Sequence, residues 1–246
     1  MQWDKNTDTP LPPDEPAGQN PPDGAVIDYW LNSPAAGPVA IDITDALGRV
    51  VQRFVSTDPV EPVKDTGNWP AYWIRPSRVP ATTAGMHRFV WDLHYPPPKA
   101  FEFGYPIAAT PGDTAPEPKG PWVIPGTYTV RLQVGSTVQT APLVVKMDPR
   151  VKTPLAGLER QFALSYRLYN AIARVHDQIV RAEAGSPPPK ALPEQPAPWA
   201  EGNSPGAALR RLHEQLLGLL GVVQEVDAEP TPAVIDAAEA CLARVK

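Results

Sequence analysis

The chain has 246 residues, 42% of them hydrophobic and 20% charged, enough apolar material for one large folded domain or two small ones. Its formal net charge is −5, its pI is about 5.4, and Lys and Arg form no run or stripe, which argues against a nucleic-acid surface, since that needs clustered cations to displace counterions. No stretch approaches the roughly 20 apolar residues that span a bilayer; the opening Met1-Gln-Trp-Asp-Lys5 has no apolar signal core; the single cysteine, Cys241, excludes an internal disulfide framework.

The 34 prolines and 17 glycines are clustered, so the composition predicts folded elements joined by long stiff loops. Residues 1–24 carry six prolines among polar residues and read as an extended lead-in, of the kind that follows an upstream unit. From Ala25 the pattern changes. Ala25–Leu31 and Val39–Thr44 are rich in β-branched and aromatic residues and read as strands. Asp45-Ala-Leu-Gly48 is a turn, with Asp bonding its own backbone and Gly supplying a positive φ. Arg49–Val55 returns as the hairpin partner; strict alternation puts Val51, Arg53 and Val55 on one face and Val50, Gln52 and Phe54 on the other.

Residues 56–84 form a long proline-rich loop, which Trp69, Tyr72 and Trp73 are expected to pin down. In the next strand His87, Phe89 and Trp91 share a face. A second proline-rich loop runs from Pro96 to Pro125, followed by strands over Thr127–Val134 and Val138–Met147. The strings Gly85–Leu93 and Pro125–Val134 each bury one face, and together they predict an edge-to-core strand pair of an immunoglobulin-like β-sandwich over 25–150.

The character switches at Asp148-Pro149 to a helical region over 151–246. Thr153-Pro154 reads as an N-cap and first-turn proline. The stripe Leu155, Leu158, Phe162, Ser165, Tyr169, Ile172, His176 and Ile179 then predicts an amphipathic helix over about 153–184. Leu209, Leu212, Leu216, Leu219, Val223 and Val226 mark a second helix over about 205–226. Thr231-Pro232 caps a third to 245, with Ile235, Ala238, Leu242 and Val245 inward and Cys241 a small apolar neighbour. One-sided helices need partners, so a helical hairpin or three-helix unit follows, and its stripe could also pair between chains.

Few residues offer chemistry. Gly202-Asn-Ser-Pro-Gly206 matches the nucleophile-elbow pattern, but the preceding Pro193-Glu-Gln-Pro-Ala-Pro198 cannot be the central strand an elbow needs, and Ser204-Pro205 is more simply a helix start. His87, His94, His176 and His213 show no zinc-helix spacing. Asp92 and His94 could serve as an acid–base or metal pair; the simpler expectation is a strand-end hydrogen-bond pair fixing the next loop. Asp28, Asp42 and Asp45 do not converge as paired carboxylates, and Asp42–Asp45 lacks the further oxygens of a calcium loop. No catalytic residue, metal site or cofactor is expected. The loop tryptophans Trp69, Trp73 and Trp122 are the candidate ligand-binding set, able to stack on sugar rings or anchor a partner, or else to fill the ends of the sandwich.

Two resemblances carry further. Gly85-x-His-x-Phe-Val-Trp-Asp92, followed by Pro125-Gly-Thr-Tyr-Thr-Val-Arg131, resembles the Ig-like domain of the flagellar hook-capping protein and its relatives. Asn20–Tyr29, Ala84–Leu93, Gly120–Tyr128 and Val145–Lys152 resemble the C-terminal region of bacterial sialidase-like "glycosyl hydrolase" proteins, whose N-terminal β-propellers carry Asp-box repeats. The chain contains no Ser-x-Asp-x-Gly-x-Thr-Trp box, so no catalytic residue of that family carries over to any position. The resemblance implies export to the periplasm or outside, and an upstream propeller as partner. The expected role is a non-catalytic accessory or assembly module; the alternatives are a carbohydrate-binding module using the loop tryptophans, or part of a glycoside hydrolase whose catalytic residues lie outside this chain.

Overall fold

A computed structural model describes residues 21–60, 62–63, 69–106, 110, 112–184 and 205–245. Among these residues six strands are followed by three α-helices: β1 (Ala25–Leu31), β2 (Val39–Thr44), β3 (Val50–Val55), β4 (Gly85–Trp91), β5 (Gly126–Val134), β6 (Thr137–Val145), α1 (Leu155–Glu183), α2 (Pro205–Gln224) and α3 (Pro232–Leu242). The strands form two antiparallel sheets, one of β1 and β4 and one in the order β3-β2-β5-β6.

β2 is central in its sheet and buried along almost its whole length. Val39, Ile41 and Ile43 face the core, while Asp42, on the opposite face, is clamped by Arg53 and Arg131, its register partners on β3 and β5. β6 is an edge strand with an exposed pattern, and it tolerates Pro142 because its outer edge has no ladder to feed. The two sheets share one core built from Tyr29, Leu31, Phe89 and Trp91 on one side and Val39, Ile41, Ile43, Val51, Tyr128 and Val130 on the other.

The Phe89 and Tyr128 segments, expected to pair, do not. β4 is hydrogen-bonded to β1, and β5 lies between β2 and β6. The two strands meet across the core instead, with the Trp91 and Tyr128 rings edge-on at 5.9 Å. Alternation reports which face of a strand is buried and carries no information on its ladder partner. The facing in β3 also differs from strict alternation. Val51 is buried and Phe54 packs on Phe89 at 4.7 Å, three residues apart yet both inward. A register shift at Ile43/Thr44 moves the partner from Gln52 to Val50 and leaves Val51 as the extra, bulged residue.

α1 and α2 run antiparallel: Arg210 near the start of α2 pairs with Glu183 at the end of α1, and Gln161 near the start of α1 donates to the carbonyls of Val223 and Val226. α3 closes the second core, burying Ala238. The buried face of α1 is wider than the expected stripe. Leu164, Leu168 and Val175 are buried as well, because α2 and α3 cover one flank while the β4–β5 loop covers the other. Leu155 and Val226, expected inward, are 51% and 58% exposed, and Ile235 is 37% exposed. Thr153 caps nothing; Pro154 occupies the cap position and the Thr153 hydroxyl donates to Asp227 O at 2.5 Å, tying the start of α1 to the loop after α2. Thr231 does cap α3, accepting from the Val234 amide. Cys241 is a half-buried neighbour of the second core.

The β4–β5 loop fastens the helices to the sheets. Tyr95 packs on Phe162 and Tyr166, Lys99 pairs with Asp177, Phe101 stacks on His176 at 4.4 Å, and His213 Nε2 donates to Lys99 O. The amide of Trp122 donates to the buried Gln224 Oε1 at 2.6 Å, and Gln224 returns a bond to Gly120 O. Among the described residues no helix is long and apolar enough to cross a membrane.

Candidate binding pocket

At the end of β4 the chain turns sharply. Leu93 adopts φ 64°, a left-handed conformation that costs a branched residue of order 1 kcal/mol or more. The turn brings His94 opposite Trp122, with ring centroids 3.7 Å apart, and lets Trp91 Nε1 donate to His94 O at 3.0 Å. His94 Nδ1 donates to Asp92 O at 2.8 Å. Burial outweighs the attraction of Asp92 and holds the imidazole down to about 4, so the ring is neutral at physiological pH with its Nδ1–H already used. This is the strand-end pair that fixes the following loop. Gly120 completes the packing: a Cβ there would overlap the backbone carbonyls of Tyr95 and Pro96.

The two long loops meet beside this turn. Ile74 bridges to Thr114, and the Arg75 amide donates to Thr114 O. Asp113 Oδ1 accepts from both Arg75 Nε and Arg78 Nη2 at 2.7 Å, Arg75 Nη1 reaches Asp92 Oδ2 at 3.3 Å, and Arg78 Nη1 donates to Val90 O. Burial and the neighbouring Arg75 push the Arg78 guanidinium below its ordinary value. Above this cluster opens a cavity of about 500 Å³, walled by the two arginines, Asp92, His94, Lys119, and the rings of Phe54, Tyr95, Phe103 and Tyr105. A second cavity of about 560 Å³ lies on the far side of His94 and Lys119, between Trp122 and α2.

The candidate tryptophans do not converge on one cavity. Trp69 packs on Tyr105 at 5.8 Å, and Trp73 sits in a short 3₁₀ turn (Ala71–Trp73) with its Nε1 buried and unpaired. Trp122 lines the second cavity with its ring on His94. All three are half-buried. Among the described tryptophans the most exposed is Trp30, at 64%, opposite the 60% exposed Met86 on the outer face of the small sheet.

The other candidates are spent locally. Asp28 makes a bidentate cross-strand pair with Arg88, whose hydrogen bonds hold its carboxyl below the usual range. Asp42 sits in its arginine clamp. Asp45 builds its turn by accepting from the Leu47 and Arg49 amides and the Arg49 guanidinium, which together outweigh burial and lower its carboxyl. His87 bonds Thr83 O, and His176 and His213 bracket Phe101. Ser204 and the Gly202–Ser204 part of the elbow pattern lie outside the described residues. Among the described residues no group of three His, Cys, Asp or Glu is placed to hold a metal ion.

The residues that sequence reasoning missed are Arg75, Arg78, Asp113 and Lys119. Their one sequence signal is charge within proline-rich segments that otherwise read as connectors, as in Arg75-Pro-Ser-Arg78. No protein-family model matches the chain, and neither a curated protein nor a solved structure is similar to it.

Proposed function

We propose that the chain is a non-catalytic accessory module: an immunoglobulin-like sandwich carrying a three-helix unit, within a sialidase-like exported protein whose Asp-box propeller lies upstream. The observation that carries this reading is the fate of the reactive groups. Asp92 and His94, the best acid–base candidates, are tied into the bonds that shape the end of β4, and Asp28, Asp42 and Asp45 each hold a strand pair or a turn. A catalytic carboxylate or imidazole needs its lone pair or proton available to a substrate. The exposed Trp30–Met86 pair supports the assembly role, since neighbouring large apolar side chains left in water mark a protein contact.

The experiment is turnover by the purified chain on a panel of sialosides and other glycosides. Release no faster than in buffer is expected. Enzyme-like release that Asp92→Asn abolishes would overturn the reading.

A second reading is favoured by one observation, that Trp122 lines a cavity of about 560 Å³. In it the chain is a carbohydrate-binding module using Trp69, Trp73 and Trp122. Titration of tryptophan emission with neutral glycans tests it: a saturable shift lost in Trp122→Ala supports it, and an unmoved spectrum ends it.

A further inference from the structure

We propose that the cavity between the two long loops binds a small carboxylic acid with an apolar or aromatic body, its carboxylate held by Arg75 and Arg78. The inference goes beyond the accessory reading and stands independently of it.

The donors come first. A guanidinium carries five N–H groups in a planar fork. Arg75 commits two of them, to Asp113 and Asp92, and Arg78 commits two, to Asp113 and the Val90 carbonyl. The remaining donors of both side chains belong to residues that wall the cavity. Both arginines are largely buried, at 11% and 26% side-chain exposure, so water satisfies those donors poorly. Asp92 and Asp113 balance the two guanidinium charges and hold the side chains in place at the cavity wall. What an added carboxylate gains there is the unused donors, which it accepts in bidentate fashion.

The ligand's charge follows from the same cluster. Asp92 and Asp113 already sit on these guanidiniums and Asp23 also acts on Arg78, so among anions a dianion such as phosphate meets more opposition from these carboxylates than a monoanion does. The body follows from the remaining wall. Phe54, Phe103, Tyr105, Ile74 and several prolines offer apolar faces, and Phe103 is 48% exposed. A volume of about 500 Å³ falls within the range of small-molecule sites.

The test is calorimetric titration of the full chain with three acids, benzoate, 3-phenylpropionate and hexanoate, and with the amide of each, which keeps the shape and removes the charge. At least one acid is expected to bind roughly 10-fold or more tightly than its amide, as a charge-assisted pair supplies. Arg78→Gln should erase that gap, and Phe103→Ala should weaken acid and amide alike. In the unmodified chain, the Nε–H resonances of Arg75 and Arg78 should move with the acid and stay with the amide, which decides the matter even if Arg78→Gln fails to fold. Equal binding of acid and amide, no binding of any acid at about 10 mM, or displacement of the acid by an equal concentration of phosphate would each overturn the proposal.

Discussion

The two-sheet body and the helical unit hold apolar cores of similar make-up, laid out differently along the chain. In the body, Ala25 pairs with Trp91 and Val39 with Val134, so two of its four strand pairings join segments distant along the chain, while β2–β3 and β5–β6 are neighbours in sequence. In the helical unit, Leu164, Leu168, Ala171 and Val175 are successive members of one helical face, and α2 returns antiparallel against them. The body leaves long loops between its strands, and those loops build the cavity and fasten the helices. From the helical unit, α2 supplies one wall of the second cavity. Stability and candidate function are thus divided: regular elements supply the cores, and irregular segments with charged anchors supply the pocket.

The largest effect is expected at Trp91, which is fully buried, packs edge-on to Tyr128 and donates to His94 O. Trp91→Ala should cost roughly 3–5 kcal/mol in denaturant unfolding; a loss under about 1 kcal/mol would mean that the sheets do not share this core. Leu168→Ala in the second core should cost somewhat less, roughly 2–5 kcal/mol, because a leucine leaves a smaller hole. Helical circular dichroism should then be lost before the tryptophan signal of the body if the two cores are energetically separate, and together with it if the loop clamp makes them one.

Acid should act through the body. His94 titrates at about 4 in the folded chain against 6.5 as its ordinary value, so the unfolded chain takes up the proton first as pH falls. This group adds nothing above about pH 7, removes stability as pH drops from there to about 4, and is flat below, with up to ~3 kcal/mol at stake. His94→Gln should flatten that part of the stability–pH curve; an unchanged slope would place the titration elsewhere.

Gln224→Leu should cost about 1–3 kcal/mol, since it leaves the Trp122 amide without its buried acceptor. If Gln224 is the link between the units, this variant should split one unfolding transition into two. The smallest effect is at the α3 cap: Thr231→Ala should cost about 1 kcal/mol or less, seen as a lowered midpoint with an unchanged slope.

Sequence pattern carried the elements well. The strand limits Ala25–Leu31 and Val39–Thr44 match the structure, Gly48 takes the positive φ its turn requires, and the helices end within about three residues of the expected positions, as capping and proline signals allow. The candidate site was much less legible. Trp69, Trp73 and Trp122 announced themselves as large aromatics, yet the cavity wall is made by Arg75, Arg78 and Lys119 from two loops about 40 residues apart, and no periodicity marks such residues.

Periodicity and local chemistry, properties of a few consecutive residues, are what the chain alone determined: which segments become strands or helices, which side each buries, and where turns and caps fall. Tertiary structure decided what local pattern cannot encode. It set β4 against β1 rather than β5, widened the buried face of α1 by covering two flanks, and folded Asp113 back onto Arg75 and Arg78. The physical reason is that ladder pairing and ion pairing join groups that become neighbours only after the loops between them close, and their geometry is settled by the whole packing.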